Sequence, residues 1–119
     1  MTAAATPVIV ITGFGSSQAS GLADLENADR LVRARYPEHE VRWVLTSRFI
    51  LKKLREAGTE TLFERRVPLC NLTEVYADLR RQGRTEVVVQ PLLIVNGTEY
   101  ADVMMTPVEG LNVSYGYPL

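Results

Sequence analysis

The residues best suited to chemistry in this chain lie in three short segments, each close behind an apolar run. Residues 13–17 read Gly-Phe-Gly-Ser-Ser, residues 46–48 read Thr-Ser-Arg, and residues 96–99 read Asn-Gly-Thr-Glu. Where glycines stand at the beginning of a helix, backbone N–H groups can face an anion. An arginine can bind a carboxylate through two parallel hydrogen bonds. These residue types therefore indicate a site for an anionic ligand.

The first segment allows two interpretations. Phe14, Gly15, Ser16 and Ser17 form either an anion cradle or a tight turn whose hydroxyls cap the next helix. A dinucleotide-binding pattern would need a glycine where Gln18 stands, and the Gly-Lys-Ser/Thr of a P-loop is missing. The segment alone thus predicts a βα turn or a site for a carboxylate or phosphate.

The other two segments also carry alternatives. Thr46 and Ser47 either cap a helix or bind a ligand, and Arg48 is either a carboxylate clamp or an exposed helical arginine. Glu99, which follows Gly97, is the only carboxylate near the third segment. It acts as a base or metal ligand if it is buried beside a ligand, and otherwise it favours a helix N-terminus.

The remaining reactive side chains predict no metal site of their own. The single histidine, His39, lies in a polar Pro-Glu-His-Glu turn, far in sequence from the single cysteine, Cys70. One histidine and one cysteine do not make a zinc site of the usual kind. Met104 and Met105 either fill the core, which is the favoured interpretation, or line an apolar ligand surface.

Composition bounds the class of protein. The 119 residues fit one domain, residues 1–119, and a net charge of −1 gives no reason to expect nucleic acid as a partner. A lone cysteine suits a reducing compartment, the N-terminus lacks a secretory signal pattern, and no apolar run is long enough for a membrane span. We therefore expect a cytoplasmic protein without membrane partners.

Hydrophobic patterning predicts the elements that position these segments. Apolar runs predict strands at residues 8–11, 41–45, 86–92 and 111–115, and helical spacing predicts helices before Tyr36, after Ser47, after Asn71 and over 99–105. Residues 59–70 are expected to be an inserted connection with a short irregular helical turn. This alternation predicts an α/β fold with a four-stranded parallel sheet flanked by helices. All three segments then fall at the carboxyl edge of the sheet, where such folds bind ligands.

Several short motifs, in order along nearly the whole chain, resemble the N-terminal lobe of the anaerobic (sirohydrochlorin) cobaltochelatase family. The matching segments are 14–17 (Phe-Gly-Ser-Ser), 36–37 (Tyr-Pro), 40–41 (Glu-Val), 45–48 (Leu-Thr-Ser-Arg), 50–54 (Ile-Leu-Lys-Lys-Leu), 86–92 (Glu-Val-Val-Val-Gln-Pro-Leu), 97–100 (Gly-Thr-Glu-Tyr) and 116–119 (Gly-Tyr-Pro-Leu). The resemblance implies a single flavodoxin-like, chelatase-like lobe. It also implies that Co²⁺, a substrate, is inserted into sirohydrochlorin without a nucleotide. No cofactor is therefore expected.

The resemblance also assigns residues. Leu93 stands where the family carries a metal-binding histidine, so no metal ligand is expected there, and Glu99 becomes the candidate catalytic residue. The implied tetrapyrrole contacts are Phe14, Gly15, Ser16, Ser17, Thr46, Ser47, Arg48, Leu93 and Gly97. The resemblance implies two lobes, so this chain is expected either to pair with a second copy, as a homodimer, or with a second lobe, or to be a piece of a longer two-lobe protein.

Four functions remain open at this stage. They are a cobaltochelatase-like enzyme, a tetrapyrrole or haem carrier without turnover, an inactive partner subunit, and an unrelated flavodoxin-like module for a phosphate-bearing ligand.

Overall fold

The computed structural model describes residues 6–16, 18–92 and 97–116, with side chains from residue 101 onward in the last range. In chain order its elements are β1 (Val8–Gly13), α1 (Ala19–Arg35), β2 (Val41–Leu45), α2 (Arg48–Glu56), β3 (Thr61–Leu62), β4 (Val67–Pro68), α3 (Leu72–Arg81), β5 (Glu86–Pro91), α4 (Gly97–Met105) and β6 (Asn112–Tyr115). None of the helices within these ranges has the length and apolar character needed to cross a bilayer.

The main sheet confirms the predicted fold class. Its four strands lie in the order β2-β1-β5-β6, and every pairing is parallel. The central strand β1 pairs with β2 on one side, as Ile9 with Val41, and with β5 on the other, as Val8 with Val87. All four strands therefore end at the same edge, which we call the carboxyl edge.

Each face of the sheet carries its own core, because side chains alternate along a strand. Val8 and Val10 of β1 pack with α3 and α4, whereas Ile9 and Ile11 pack with α1 and α2. All six residues of β1 are buried, as the continuous apolar run predicts for a strand covered on both faces. The helices thus flank the sheet on both sides, in agreement with a single flavodoxin-like lobe.

Residues 59–70 differ from the sequence-based expectation. They contain an antiparallel hairpin of β3 and β4 in place of a helical turn, with Leu62 opposite Val67. The four residues between these strands include two with positive φ, Phe63 at 67° and Arg66 at 58°. This tight turn has no glycine or asparagine to announce it, so the usual sequence signal of a hairpin is missing.

One buried carboxylate ties the hairpin to the rest of the fold. Asp29 of α1 has no solvent exposure and accepts hydrogen bonds from Trp43 (2.9 Å), Arg33 (2.9 Å) and Arg65 (2.6 and 2.9 Å). Arg65 of the hairpin also donates to the carbonyl of Val41 at 2.8 Å. Burial alone would raise the pKa of Asp29, but the hydrogen bonds from its three partners outweigh burial and lower it.

Candidate functional site

The loops after β1 and β2 are held together at the carboxyl edge. The backbone N–H of Thr46 donates to the carbonyl of Gly13 at 2.8 Å, and that of Ser47 donates to Phe14 at 3.1 Å. These bonds extend the parallel pairing of the two strands by one step beyond its last residues. They place Phe14 next to the start of α2 and bring together two of the three predicted segments.

Gly15 is required where the first loop passes over α2. Its φ is +107°, a region that favours glycine, and a Cβ there would lie 3.2 Å from both Ile50 Cγ2 and Leu45 Cδ1. The loop therefore sits directly on the first turn of α2.

Hydroxyl groups at this edge serve the backbone. Ser16 Oγ accepts from the N–H of Gln18 at 3.0 Å, and Ser47 Oγ accepts from the N–H of Ile50 at 3.2 Å as the N-cap of α2. Ser47 is also buried, whereas Thr46 is half-buried, with its hydroxyl 3.4 Å from the Gly13 carbonyl. These contacts match the capping and turn interpretations of Ser16 and Ser47, and Ser17 lies outside the described residues.

Two aromatic side chains are exposed at the edge. Phe14 is 49% exposed and Phe49, in the first turn of α2, is 72% exposed. The ammonium of Lys53 lies 6.0 Å from the centre of the Phe49 ring, within the range of a cation–π contact. Sequence reasoning missed Phe49, because its search for apolar helical positions followed only the buried face, Ile50, Leu51 and Leu54.

A cleft of about 490 Å³ opens between α2 and the start of α3. Its volume falls in the range of small-molecule sites. The apolar lining consists of Val44, Leu45, Leu51, Leu72 and Val103, and the polar lining consists of Thr46, Arg48, Lys52, Arg55, Glu56, Asn71, Thr73 and Thr106. We call this the α2–α3 cleft.

The cations of the cleft form one stripe on α2. Arg48, Lys52 and Arg55 are spaced at i, i+4 and i+7, which places them on one helical face. Arg55 is engaged, donating to Glu74 at 2.7 Å and to the carbonyl of Leu69 at 3.1 Å. Within the described residues, Arg48 and Lys52 have no ion pair. Sequence reasoning singled out Arg48 alone, although the spacing itself was a readable signal.

The remaining predicted residues fall partly outside the described structure. Leu93 lies in the gap at residues 93–96, so its predicted ring contact stays a prediction. Gly97 begins α4 and Glu99 lies in its first turn, but only the backbone is described there. The prediction of a catalytic role for Glu99 therefore also stays a prediction.

The methionine pair corrects one expectation. Met105 is 81% exposed and Met104 is 41% exposed, whereas the neighbouring Val103 is 2% exposed and supplies the core contact of α4. The core-filling interpretation is wrong for Met105, because Val103 is the buried side chain among the described residues 101–105 of α4. The exposed thioethers fit the alternative of an apolar surface.

His39 lies at the opposite edge of the sheet, before β2. Its Nδ1 is 2.7 Å from the carbonyl oxygen of Pro7, and its ring meets Tyr36 edge-on at 5.8 Å. Among the residues that the structure describes, no three His, Cys, Asp or Glu side chains are grouped closely enough to hold a metal ion.

Comparison with known proteins agrees with this architecture. Residues 7–116 match the model of the family described as Cobalt chelatase (CbiK). The chain is also similar to a protein of Nitratidesulfovibrio vulgaris (strain Hildenborough) named sirohydrochlorin cobaltochelatase CbiKC, with 29% identity over 109 residues. That alignment covers 92% of this chain and 36% of the relative, so the chain spans about a third of the length of the relative it matches. Because the family match covers residues 7–116, nearly the whole chain, the chain belongs to the cobalt chelatase (CbiK) family.

Proposed function

We propose that this chain is a tetrapyrrole-binding lobe that takes part in inserting Co²⁺, the metal substrate, into sirohydrochlorin. The observation that carries the proposal is the exposed pair Phe14 and Phe49 beside Arg48 at the carboxyl edge, in a chain of the cobalt chelatase family. A tetrapyrrole presents a flat apolar ring with carboxylates around its rim. Exposed aromatic rings stack on such a ring, and an arginine pairs with a carboxylate.

The lobe binds one side of the tetrapyrrole ring. Metal insertion also needs a group that removes pyrrole protons or assists the metal. Glu99 is proposed as the base that removes a pyrrole proton or assists the metal, since Leu93 offers no lone pair. We propose that residues 1–119 act as one lobe that works together with a second one, either another copy of this chain or a second lobe. The aligned region is 36% of the N. vulgaris relative, so that relative has room for a second lobe. We also place the protein in the cytoplasm, where a lone cysteine stays reduced.

The test is a titration of the purified chain with sirohydrochlorin, followed by absorption spectroscopy. Wild type should bind, and Phe49→Ser should weaken binding about tenfold, equivalent to about 1.4 kcal/mol of lost stacking. Leu31→Ser is the matched control, because Leu31 is also 72% exposed and lies on α1. The absence of any spectral change with wild type would overturn the proposal, as would equal losses for the two variants.

A second titration in the presence of Co²⁺ tests the chemical step. Faster insertion than in the protein-free reaction, lost on Glu99→Gln, supports the catalytic role of this residue. Unchanged insertion in Glu99→Gln would exclude it.

Leu93 favours one alternative, a tetrapyrrole carrier without turnover. An apolar side chain in the position of a metal-binding histidine keeps contact with a ring while removing metal affinity. Binding of sirohydrochlorin with no acceleration of Co²⁺ insertion, at any protein concentration, would support the carrier over the enzyme.

A further inference from the structure

We infer that the α2–α3 cleft is a subsite for the carboxylate substituents of the macrocycle, and that Arg48 and Lys52 make the lobe selective for highly carboxylated rings. This inference rests on the proposed tetrapyrrole function. It adds a specificity determinant, Lys52, and a location beyond the loops that follow the strands.

Positive charge predominates among the described residues of the cleft. The whole chain has a net charge of −1, yet the described residues that line the cleft include three cations and one carboxylate, Glu56. Like charges four residues apart on a helix repel each other, and Arg48 and Lys52 are such a pair. An anion in the cleft would relieve this repulsion. The excess of positive charge is therefore concentrated where a carboxylate could enter.

The three cations of the cleft differ in whether they already have a partner. Arg55 is already held by Glu74 and by the carbonyl of Leu69, so it forms a fixed wall of the cleft. Arg48 and Lys52 are exposed and have no carboxylate partner among the residues the structure describes. As far as the described residues are concerned, a ligand can therefore bind these two charges without first breaking an ion pair.

Apolar and neutral polar groups surround the charges of the cleft. The buried side chains of Val44, Leu51 and Leu72 form an apolar wall, and an ion pair beside a wall of low dielectric constant is stronger than one in bulk water. Asn71 and Thr73, at the start of α3, add neutral polar groups. Asn71 uses its Oδ1 to cap α3, so its amide N–H groups remain as donors. A cleft with an apolar wall and cations in its lining fits an organic carboxylate better than a hydrated inorganic anion.

The cleft lies next to the exposed aromatic side chain of α2, Phe49. Arg48 and Phe49 are adjacent in the first turn of α2, and Phe49 with Lys53 occupies the helical face next to the stripe. A ring stacked on Phe49 would therefore have its rim within reach of Arg48 and, one turn later, Lys52. Ring contact and carboxylate contact then come from the two flanks of one helix.

The experiment compares three porphyrins that carry progressively fewer carboxylates on the same ring, namely uroporphyrin, coproporphyrin and mesoporphyrin. Dissociation constants are measured by fluorescence for wild type, Arg48→Gln, Lys52→Gln and Arg35→Gln. Arg35 is the control, since it is an exposed arginine at the end of α1, at the opposite edge of the sheet. Circular dichroism checks that each variant is folded.

We expect wild type to bind uroporphyrin most tightly and mesoporphyrin least tightly. Arg48→Gln and Lys52→Gln should each weaken uroporphyrin binding about tenfold, the effect of one lost charge-assisted contact, while changing mesoporphyrin binding about twofold or less. Arg35→Gln should change neither. The salt dependence of uroporphyrin binding should also become shallower in Lys52→Gln.

Two outcomes would overturn the inference, and they are distinguishable. Tight binding of all three porphyrins with equal affinity, or equal effects of Lys52→Gln and Arg35→Gln, would refute the subsite and leave the tetrapyrrole function standing. Failure of wild type to bind any of the three would refute both.

Discussion

Replacing Asp29 with asparagine should loosen the β3–β4 hairpin and destabilise the whole lobe. The carboxylate of Asp29 is fully buried and accepts four hydrogen bonds, from Trp43, Arg33 and twice from Arg65. An asparagine keeps the size of the side chain, but it loses the negative charge and one of the two acceptor oxygens. Arg65 and Arg33 are then left beside a neutral group.

The size of the effect follows from the exposure of the partners. Removing one member of a buried ion pair destabilises a protein by roughly 3–5 kcal/mol. The side chains of Arg65 and Arg33 are 29% and 41% exposed, so water can hydrate them after the change. We therefore expect a loss near the lower end, about 3 kcal/mol, which for a domain of this size lowers Tm by roughly 12 °C.

The pH dependence provides a second, independent signature. A carboxyl group whose pKa is lower in the folded state stabilises the fold above its unfolded pKa and loses that contribution as the pH falls. The pKa of Asp29 is lowered by its hydrogen bonds in spite of burial, so wild type should lose stability below about pH 4. Asp29→Asn should show a shallower loss over the same range.

Urea unfolding followed by the fluorescence of Trp43, the single tryptophan, measures both effects. Asp24→Asn, an exposed position on the same helix, is the control. Hydrogen exchange should rise most in the hairpin, because Arg65 connects it to Asp29. A loss no larger than that of Asp24→Asn, or unchanged exchange in residues 61–68, would refute this reasoning.

Three further predictions concern the edge of the sheet and its surroundings. Asn71→Ala should cost about 1 kcal/mol in urea unfolding, because Asn71 and Glu74 form a capping box, and Asn71→Asp should restore most of the loss. Gly15→Ala should destabilise the lobe by about 1–3 kcal/mol in the same assay, since it combines a positive φ with a Cβ 3.2 Å from Ile50. Burial raises the pKa of the Cys70 thiol, so its alkylation by iodoacetamide should be slower than that of free cysteine near pH 8 and should keep increasing above pH 9.

Each of these predictions has a result that would contradict it. Equal stabilities of Asn71→Ala and wild type would exclude the capping role. Gly58 has φ +86°, and nothing lies within 4 Å of a Cβ placed there, so Gly58→Ala measures the stability lost through backbone strain alone. If Gly15→Ala lost no more stability than Gly58→Ala, a steric clash at Gly15 would be excluded. A Cys70 alkylation rate that reaches a plateau by pH 8 would show that the thiol is not protected by burial.

The sheet and its main helices could be predicted from the sequence because their signals are local. The apolar runs at residues 8–11 and 41–45 lie in β1 and β2, and Asn71 caps α3 as its side chain predicts. The hairpin was missed because its strands have two residues each and its turn holds Phe63 and Arg66 in left-handed conformations. Its position depends on the contact of Arg65 with Asp29, 36 residues away, which no local pattern records.

The candidate site shows the same division. The convergence of Phe14 and Arg48 follows from parallel topology and could be predicted without coordinates. The exposure of Phe49 was missed, although the helical spacing of Ile50, Leu51 and Leu54 already places Phe49 outside the apolar face. The α2–α3 cleft needed the structure, because Val103 and Thr73 reach it from elements that are distant in sequence from Arg48.

The geometry of α2 explains how one short helix could offer both kinds of contact to a tetrapyrrole. Two kinds of contact fix its first turn. Ser47 caps the turn, and backbone hydrogen bonds from Thr46 and Ser47 anchor it to the loop after β1. The apolar side chains of Leu51 and Leu54 bury its inner face. Phe49 and Arg48 therefore project from a fixed platform, and little ordering is needed when a ligand binds. A platform of this kind contacts a flat ring from one side only, and the other side of the ring would remain open to the second lobe we propose.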